Sequence, residues 1–168
     1  MNDSDVEACR WLVRALGNVK RAFIMKSEKD FALSIFFFQQ ATEFHIKALL
    51  VFMGAEPKRS HDPGRQLRSI VRKMQISERL ETLLSLSAEL SQDYMGTRYP
   101  GDVSPWDIYS EGDVGVVEEK VLETFRDIRG ILKELLPKRE ITISECLQRL
   151  DKSPKLSLMI EEMRKYID

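Results

Sequence analysis

The stretch from Lys29 to Met53 constrains the fold more than any other part of the chain. Phe31, Ile35, Phe38, Thr42, His45, Leu49 and Met53 recur at steps of three and four, so they share one face of a helix. Phe36, Phe37 and Phe38 are consecutive, and on a helix turning ~100° per residue three consecutive rings cannot share a face. The middle of the segment is therefore apolar nearly all round. A helix of that kind lies at the centre of a bundle or in an oligomer interface. Gly54 is its natural stop. One polar stripe, Gln40, Glu43 and Lys47 with Gln39 beside it, crosses this apolar surface. Glu43 and Lys47 stand in the favoured acid-first i,i+4 order, a pair worth about 0.2–0.5 kcal/mol on a helix surface. His45 reads either as a core histidine with a satisfied hydrogen bond or as a catalytic group.

The segments around it carry the same period. Ala8, Leu12, Ala15, Val19 and Ala22 form a stripe over about Asp5–Met25, broadened by Val6, Cys9, Val13, Leu16 and Phe23. A short basic helix is expected over about Gly64–Met74, and another over Ser77–Tyr94 with Ile76, Leu80, Leu83, Leu84, Ser87 and Leu90 inward. Val114, Val117, Val121, Phe125, Ile128, Leu132 and Leu135 make the clearest stripe, which Pro137 ends. Two short helices follow, within "TISECLQRL" and "PKLSLMIEEMRKYI". No segment alternates like a strand. The expected fold is all-α: an up-and-down bundle of four to five helices over residues 1–137. Residues 138–168 form a short helical C-terminal extension packing on the bundle or on a partner.

The 168 residues suffice for one domain with a sizeable core. No apolar run approaches the ~20 residues of a membrane span, and the acidic start "MNDSDVEACRW" is not a signal peptide. A cytoplasmic protein is expected, with no membrane partner. Two distant cysteines and two histidines suggest neither a disulfide framework nor a metal site. A net charge of −1 argues against a coat protein for nucleic acid, but the charge is uneven. Residues 56–73 carry six basic side chains against two acids; residues 93–119 carry seven acids against Arg98 alone. Two solvated faces, or a basic patch for a polyanion beside an acidic loop, both fit that pattern.

Glycine-rich phosphate loops, zinc-protease motifs and paired Glu-x-x-His ligands are absent, and no serine has a credible histidine partner. Chemistry is left to "DYMGTRYPGD", residues 93–102, where the helical pattern breaks into residues 95–112. Arg98 presents a planar fork suited to phosphate or carboxylate. Tyr94, Tyr99 and Trp106 could stack on a base or on the arginine. Asp102 could accept from a ribose, help hold Mg²⁺, or pair with Arg98 and fix the loop to the bundle. Arg65, Arg68 and Arg72 share one face of the basic helix, as a solvated face or as phosphate contacts.

Two stretches together resemble the HEPN family of small helical proteins. In residues 36–63, Gln40, Ala41, Glu43, Lys47, Ala48, Leu49, Gly54, His61 and Asp62 match its pattern in order. "YMGTRYPGD", residues 94–102, is similar to its Arg-Tyr-Pro signature. Pro63-Gly64 replaces the leucine usual after the His-Asp pair, so the third helix is expected to start later. The resemblance covers about residues 5–136 and implies a four- or five-helix bundle, commonly a symmetric dimer. It also implies service beside a minimal nucleotidyltransferase, as a toxin–antitoxin pair or nucleotide-binding partner, or else a metal-independent ribonuclease. The ribonuclease branch has a histidine separated from its arginine by four to six residues; Val103, Ser104 and Pro105 stand there.

The expectation is a non-catalytic module, homodimeric, that binds a nucleotide or nucleic-acid phosphate and partners a small nucleotidyltransferase. Arg98, Tyr99, Asp102, Tyr94, Glu43 and Lys47 are the binding candidates, and Arg65, Arg68 and Arg72 are further phosphate contacts. No catalytic residue, metal ligand or resident cofactor is assigned, though Mg²⁺ beside a bound nucleotide stays open. The alternatives are a divergent ribonuclease toxin without the usual histidine and a purely structural dimerisation protein.

Overall fold

The computed structural model describes residues 3–72, 74, 76–98, 108–136, 150 and 154–164, with the side chains of residues 4, 93–98, 154–156, 160 and 164 outside that description. It is an all-α bundle whose described residues form seven helices and no strand. They are α1 (Asp3–Ser27), α2 (Phe31–Phe52), α3 (Pro63–Val71), α4 (Glu78–Arg98), α5 (Glu111–Arg126), α6 (Ile128–Leu135) and α7 (Pro154–Arg164).

The central position of α2 follows from its composition. It packs against α1, α3, α4 and α5, and its buried set includes Ile35, Phe38, His45 and Leu49 from the expected face. Of the three consecutive phenylalanines, Phe38 is buried while Phe36 and Phe37 are half-buried. The Asp30 carboxylate caps the helix by accepting from Leu33 N–H. At the other end Gly54 takes φ 78°, a left-handed conformation that a side chain would strain, and Ala55 N–H closes on the Leu50 carbonyl.

Two apolar clusters fill the bundle. One gathers Leu12 of α1, Leu49 and Phe52 of α2, Leu67 of α3, Leu80 and Leu83 of α4, and Ile131 of α6. The other gathers Leu16 and Val19 of α1, Phe38 of α2, Leu90 of α4, Val121 and Phe125 of α5, and Met163 of α7. α7 lies on α1, where Met159 reaches within 3.4 Å of the place a Cβ on Gly17 would occupy and Lys20 pairs with Glu162.

Several boundaries differ from expectation. α3 starts at Pro63, directly after His61-Asp62 and not later. Asp62 is its N-cap, accepting from Arg65 N–H, and a proline at the first helical position loses no hydrogen bond there. Gly64 meets α4 closely: a Cβ on it would come within 2.8 Å of Ser87 Oγ. The long stripe from Val114 to Leu135 is divided at Asp127 into α5 and α6. Cys9, which the sequence left without a partner, is disulfide-bonded, and the chain's other cysteine, Cys146, lies outside the described residues. Among the described residues no helix is long and apolar enough to cross a membrane. The first of the two expected C-terminal helices lies outside the description save for Leu150.

Candidate functional site

The polar stripe of α2 is where the structure concentrates its interior polar chemistry. Glu43 is buried, and so is most of Lys47; their side chains are 6% and 12% exposed. The expected helix-surface pair is therefore an interior one. Lys47 Nζ donates to Glu43 Oε1 at 2.5 Å and lies 5.4 Å from the ring centre of Trp11 and 5.6 Å from that of Phe44. Those two rings pack edge to face, so α1 and α2 together make an aromatic seat for one ammonium.

The other oxygen of Glu43 faces away from Lys47. Gln39 and Gln40 side-chain amides each donate to Oε2 at 3.2 Å, and Gln40 also donates to Gln39 Oε1 at 2.7 Å. His61 Nδ1 stands 3.6 Å from the same Oε2. Gln39 holds the His61 backbone too, donating to its carbonyl at 3.4 Å. The carboxylate thus links the helical interior to a histidine whose side chain is 56% exposed.

His61 opens onto a cleft of about 540 Å³ between the loop after α2, α3 and α4. The loop contributes Lys58, Ser60 and His61; Asp62 and α3 contribute the cap carboxylate, Arg65, Gln66 and Ser69; α4 contributes Ser91. The loop is held by its own hydrogen bonds. Gln66 Oε1 accepts from Lys58 N–H at 2.9 Å, and Gln66 Nε2 donates to the Glu56 carbonyl at 2.8 Å. Asp62 accepts from Ser87 Oγ at 3.1 Å and pairs with Arg65 Nε at 3.4 Å. The described wall of this cleft holds no aliphatic side chain and no Phe, Tyr or Trp. It can grip charge and hydroxyls, and its flat groups are the His61 imidazole and the Arg65 guanidinium.

The three arginines of α3 are not equivalent. Arg65 lines the cleft. Arg68 is turned onto Glu81 of α4 through two hydrogen bonds, at 2.9 and 3.2 Å, and so is committed to an ion pair away from the cleft. Arg72 is exposed at the C-terminal end of the helix, outside the cleft wall. Arg98 was expected in a break between helices. Its backbone is instead the last residue of α4, two helical turns beyond Ser91. Tyr94 is likewise within α4, and the side chains of both are outside the description; Tyr99, Asp102 and Trp106 lie wholly outside it.

Burial and isolation mark His45, two residues from Glu43. It is fully buried and stacked on Phe125 at 4.6 Å between ring centres. Neither ring nitrogen has a hydrogen-bond partner among the described residues, against the expectation of a satisfied one. Burial alone pushes its pKa down to about 3, so the ring is neutral in the folded protein. Enclosed in this way, it meets no ligand.

Sequence reasoning assigned Glu43 and Lys47 to the site but not His61, Asp62, Gln39, Gln40, Gln66 or Lys58. The signal for His61 and Asp62 was their place in the family pattern. Nothing in a linear sequence brings Gln66 back onto the loop.

No curated protein and no solved structure matches the chain at a significant level. The family model described as the HEPN domain matches residues 8–136, which takes in most of α1, all of α2 through α6 and every described residue of the cleft. The chain belongs to the HEPN domain family.

Proposed function

We propose that this HEPN domain is a non-catalytic binding module for the phosphate of a nucleotide or nucleic acid, with the cleft between α3 and α4 as its site. The observation that supports this reading is the wall itself. Lys58 and Arg65 bring positive charge, Ser60, Ser69, Ser91 and Gln66 bring neutral donors, and among the described lining residues no apolar side chain competes for the space. Ser91 of the cleft wall and Arg98 belong to the same helix, two turns apart. On this reading the module works as a homodimer beside a small nucleotidyltransferase that supplies the chemistry.

The reading is non-catalytic because Val103, Ser104 and Pro105 stand where the ribonuclease branch has its histidine, and Arg98 alone does not exchange protons near neutral pH. Calorimetry with a nucleoside triphosphate and with a short single-stranded RNA tests it. Binding is expected for at least one of them, weakening as salt rises. Arg98→Ala is expected to reduce affinity by about 1.5–3 kcal/mol, the scale of a charged hydrogen bond, while labelled RNA is recovered intact. Absence of binding removes the site. RNA turnover by the wild type that disappears in Arg98→Ala replaces the module with a ribonuclease.

A further inference from the structure

We propose that the disulfide of Cys9 runs to Cys146, and that it makes the C-terminal extension a strap on α1 which thiol reduction releases. Strap and cleft are separate: no described residue of the cleft wall comes from α1 or from the extension.

The chain has two cysteines, Cys9 and Cys146. Cys9 is disulfide-bonded, and the described residues hold no free cysteine. The direction of the extension points to the same pairing. Met159 faces Gly17, and three residues further along each helix Glu162 pairs with Lys20. α7 therefore runs parallel to α1, and the chain that precedes it comes from the side of Cys9. Leu150, which lies between Cys146 and α7 in sequence, packs against the apolar cluster that contains Cys9. The eight residues from Cys9 to Gly17 rise about 12 Å on a helix. The thirteen from Cys146 to Met159 span that distance even when wound as a helix.

Without the bond the strap is lightly held. The family match ends at residue 136, so the extension is an addition to the bundle. Among the described side chains of α7 only Met163 is buried, in the second apolar cluster. Leu150 and Met159 are partly buried. The Lys20–Glu162 pair is 38% and 46% exposed, where an ion pair contributes little. An eleven-residue helix such as α7 is marginal in water by itself. The covalent tie therefore decides how firmly α7 lies on α1, while α1 to α6 keep a core of their own.

Release is thiol–disulfide exchange. A thiolate of a small dithiol attacks one sulfur of the pair, the S–S bond breaks, and the other sulfur leaves as a thiolate. The second thiol of the reductant then closes on the mixed disulfide. The protein gains two electrons and two protons as two thiols, and the dithiol becomes a cyclic disulfide. Cys9 has no exposed surface, so attack at its sulfur waits for a local opening. An oxidising compartment keeps the strap closed and a reducing one releases it. Release uncovers Lys20, the side of α1 at Gly17 and the place that Met163 fills.

The test uses the full chain. Without reductant, a tryptic digest is expected to yield residues 1–10 joined to residues 140–149, and with a dithiol the same two peptides apart. Amide exchange in α7 is expected to be at least about tenfold faster with the dithiol than without it, with α2 and α4 unchanged. Cys146→Ser is expected to show the fast exchange in both conditions. Gly17→Leu, which takes the space of Met159, is expected to speed reduction of the cysteine pair. Two free thiols without reductant, or a bond that joins two chains, overturns the pairing. Equal exchange of α7 in both conditions, or an unchanged reduction rate in Gly17→Leu, overturns the strap. So does faster exchange of α2 together with α7, which marks the bond as a staple of the whole bundle. Should Cys9→Ser fail to fold, Cys146→Ser decides alone, because it lies outside the residues of the family match.

Discussion

Glu43 and His45 are two residues apart on α2, and both are buried polar side chains, yet they have opposite surroundings. Glu43 has a partner for each oxygen: an ammonium on one, two amides on the other and an imidazole nearby. His45 has none for either ring nitrogen among the described residues and lies against Phe125. A helix turns by about 200° over two residues, so the pair faces opposite sides of the same rod. One side meets the loop after α2 and the aromatic seat from α1; the other meets α5. The difference teaches that burial alone does not mark a functional polar group. What distinguishes Glu43 is that its partners connect it to an open cleft.

The most damaging way to test that contrast is Glu43→Ala. It strips the carboxylate from a largely buried ammonium and takes one acceptor from each of Gln39 and Gln40. Removing one partner of a buried pair costs about 3–5 kcal/mol, and the 12% exposure of Lys47, which lets it reach some water, puts the expected loss near the lower figure. Urea denaturation measures it. A loss under about 1 kcal/mol, the range of surface pairs, would mean that the network adds no more than a helix-surface contact.

His45→Leu should move stability the other way. An unpartnered buried polar group costs about 1–3 kcal/mol in lost hydration, and leucine fills a similar volume without that penalty. A gain of about 1 kcal/mol is expected at neutral pH, after allowing for the lost stacking on Phe125. The pH dependence sharpens the point. Unfolded, the ring takes its proton near 6.5; folded, it resists down to about 3. The favourable state is therefore fully present above about pH 6.5. As pH falls below that value the unfolded chain binds a proton that the folded chain cannot, and stability drops by up to about 1.4 kcal/mol per pH unit until about pH 3. The gain from His45→Leu should widen over that interval. A constant difference between the two proteins from about pH 7 to about pH 5 would show that His45 finds a partner in solution.

The same contrast explains what could be read in advance. The helices were legible because apolar residues at the helical period must be buried, and Leu12, Phe38, Leu83 and Val121 are. Helix ends were less so. The helical pattern of the sequence breaks at residue 95, yet α4 runs through Gly96 to Arg98, because one glycine costs a helix only about 1 kcal/mol relative to alanine. Pro63 starts α3 where a delay is expected, because a proline after an aspartate cap is well suited to open a helix. Within the site, spacing identified the Glu43–Lys47 pair but not its burial, which Trp11 contributes from another helix. The approach of His61 to Glu43 was invisible, since it depends on a loop closed by Gln66. The separate fates of Glu43 and His45 could not be read from their own positions at all.

Arg65 and Arg68 offer the smallest and most selective test. They are three residues apart on one exposed face, and periodicity made them alike. The structure separates them by their acids. Arg65 lines the cleft beside its own cap, Asp62, whereas Arg68 spans from α3 to Glu81 of α4 with both partners about half exposed. Exposed pairs of that kind contribute about 0.2–1 kcal/mol, so Arg68→Ala should lower stability by no more than that and leave nucleotide affinity unchanged. Arg65→Ala should do the reverse, with little effect on stability and a clear loss of anion binding. Equal losses of binding in the two variants would mean that the ligand follows the charge of the whole basic helix and is not held in the cleft. In that case the links from Glu43 to His61 would be only structural, and the contrast with His45 would lose its functional meaning.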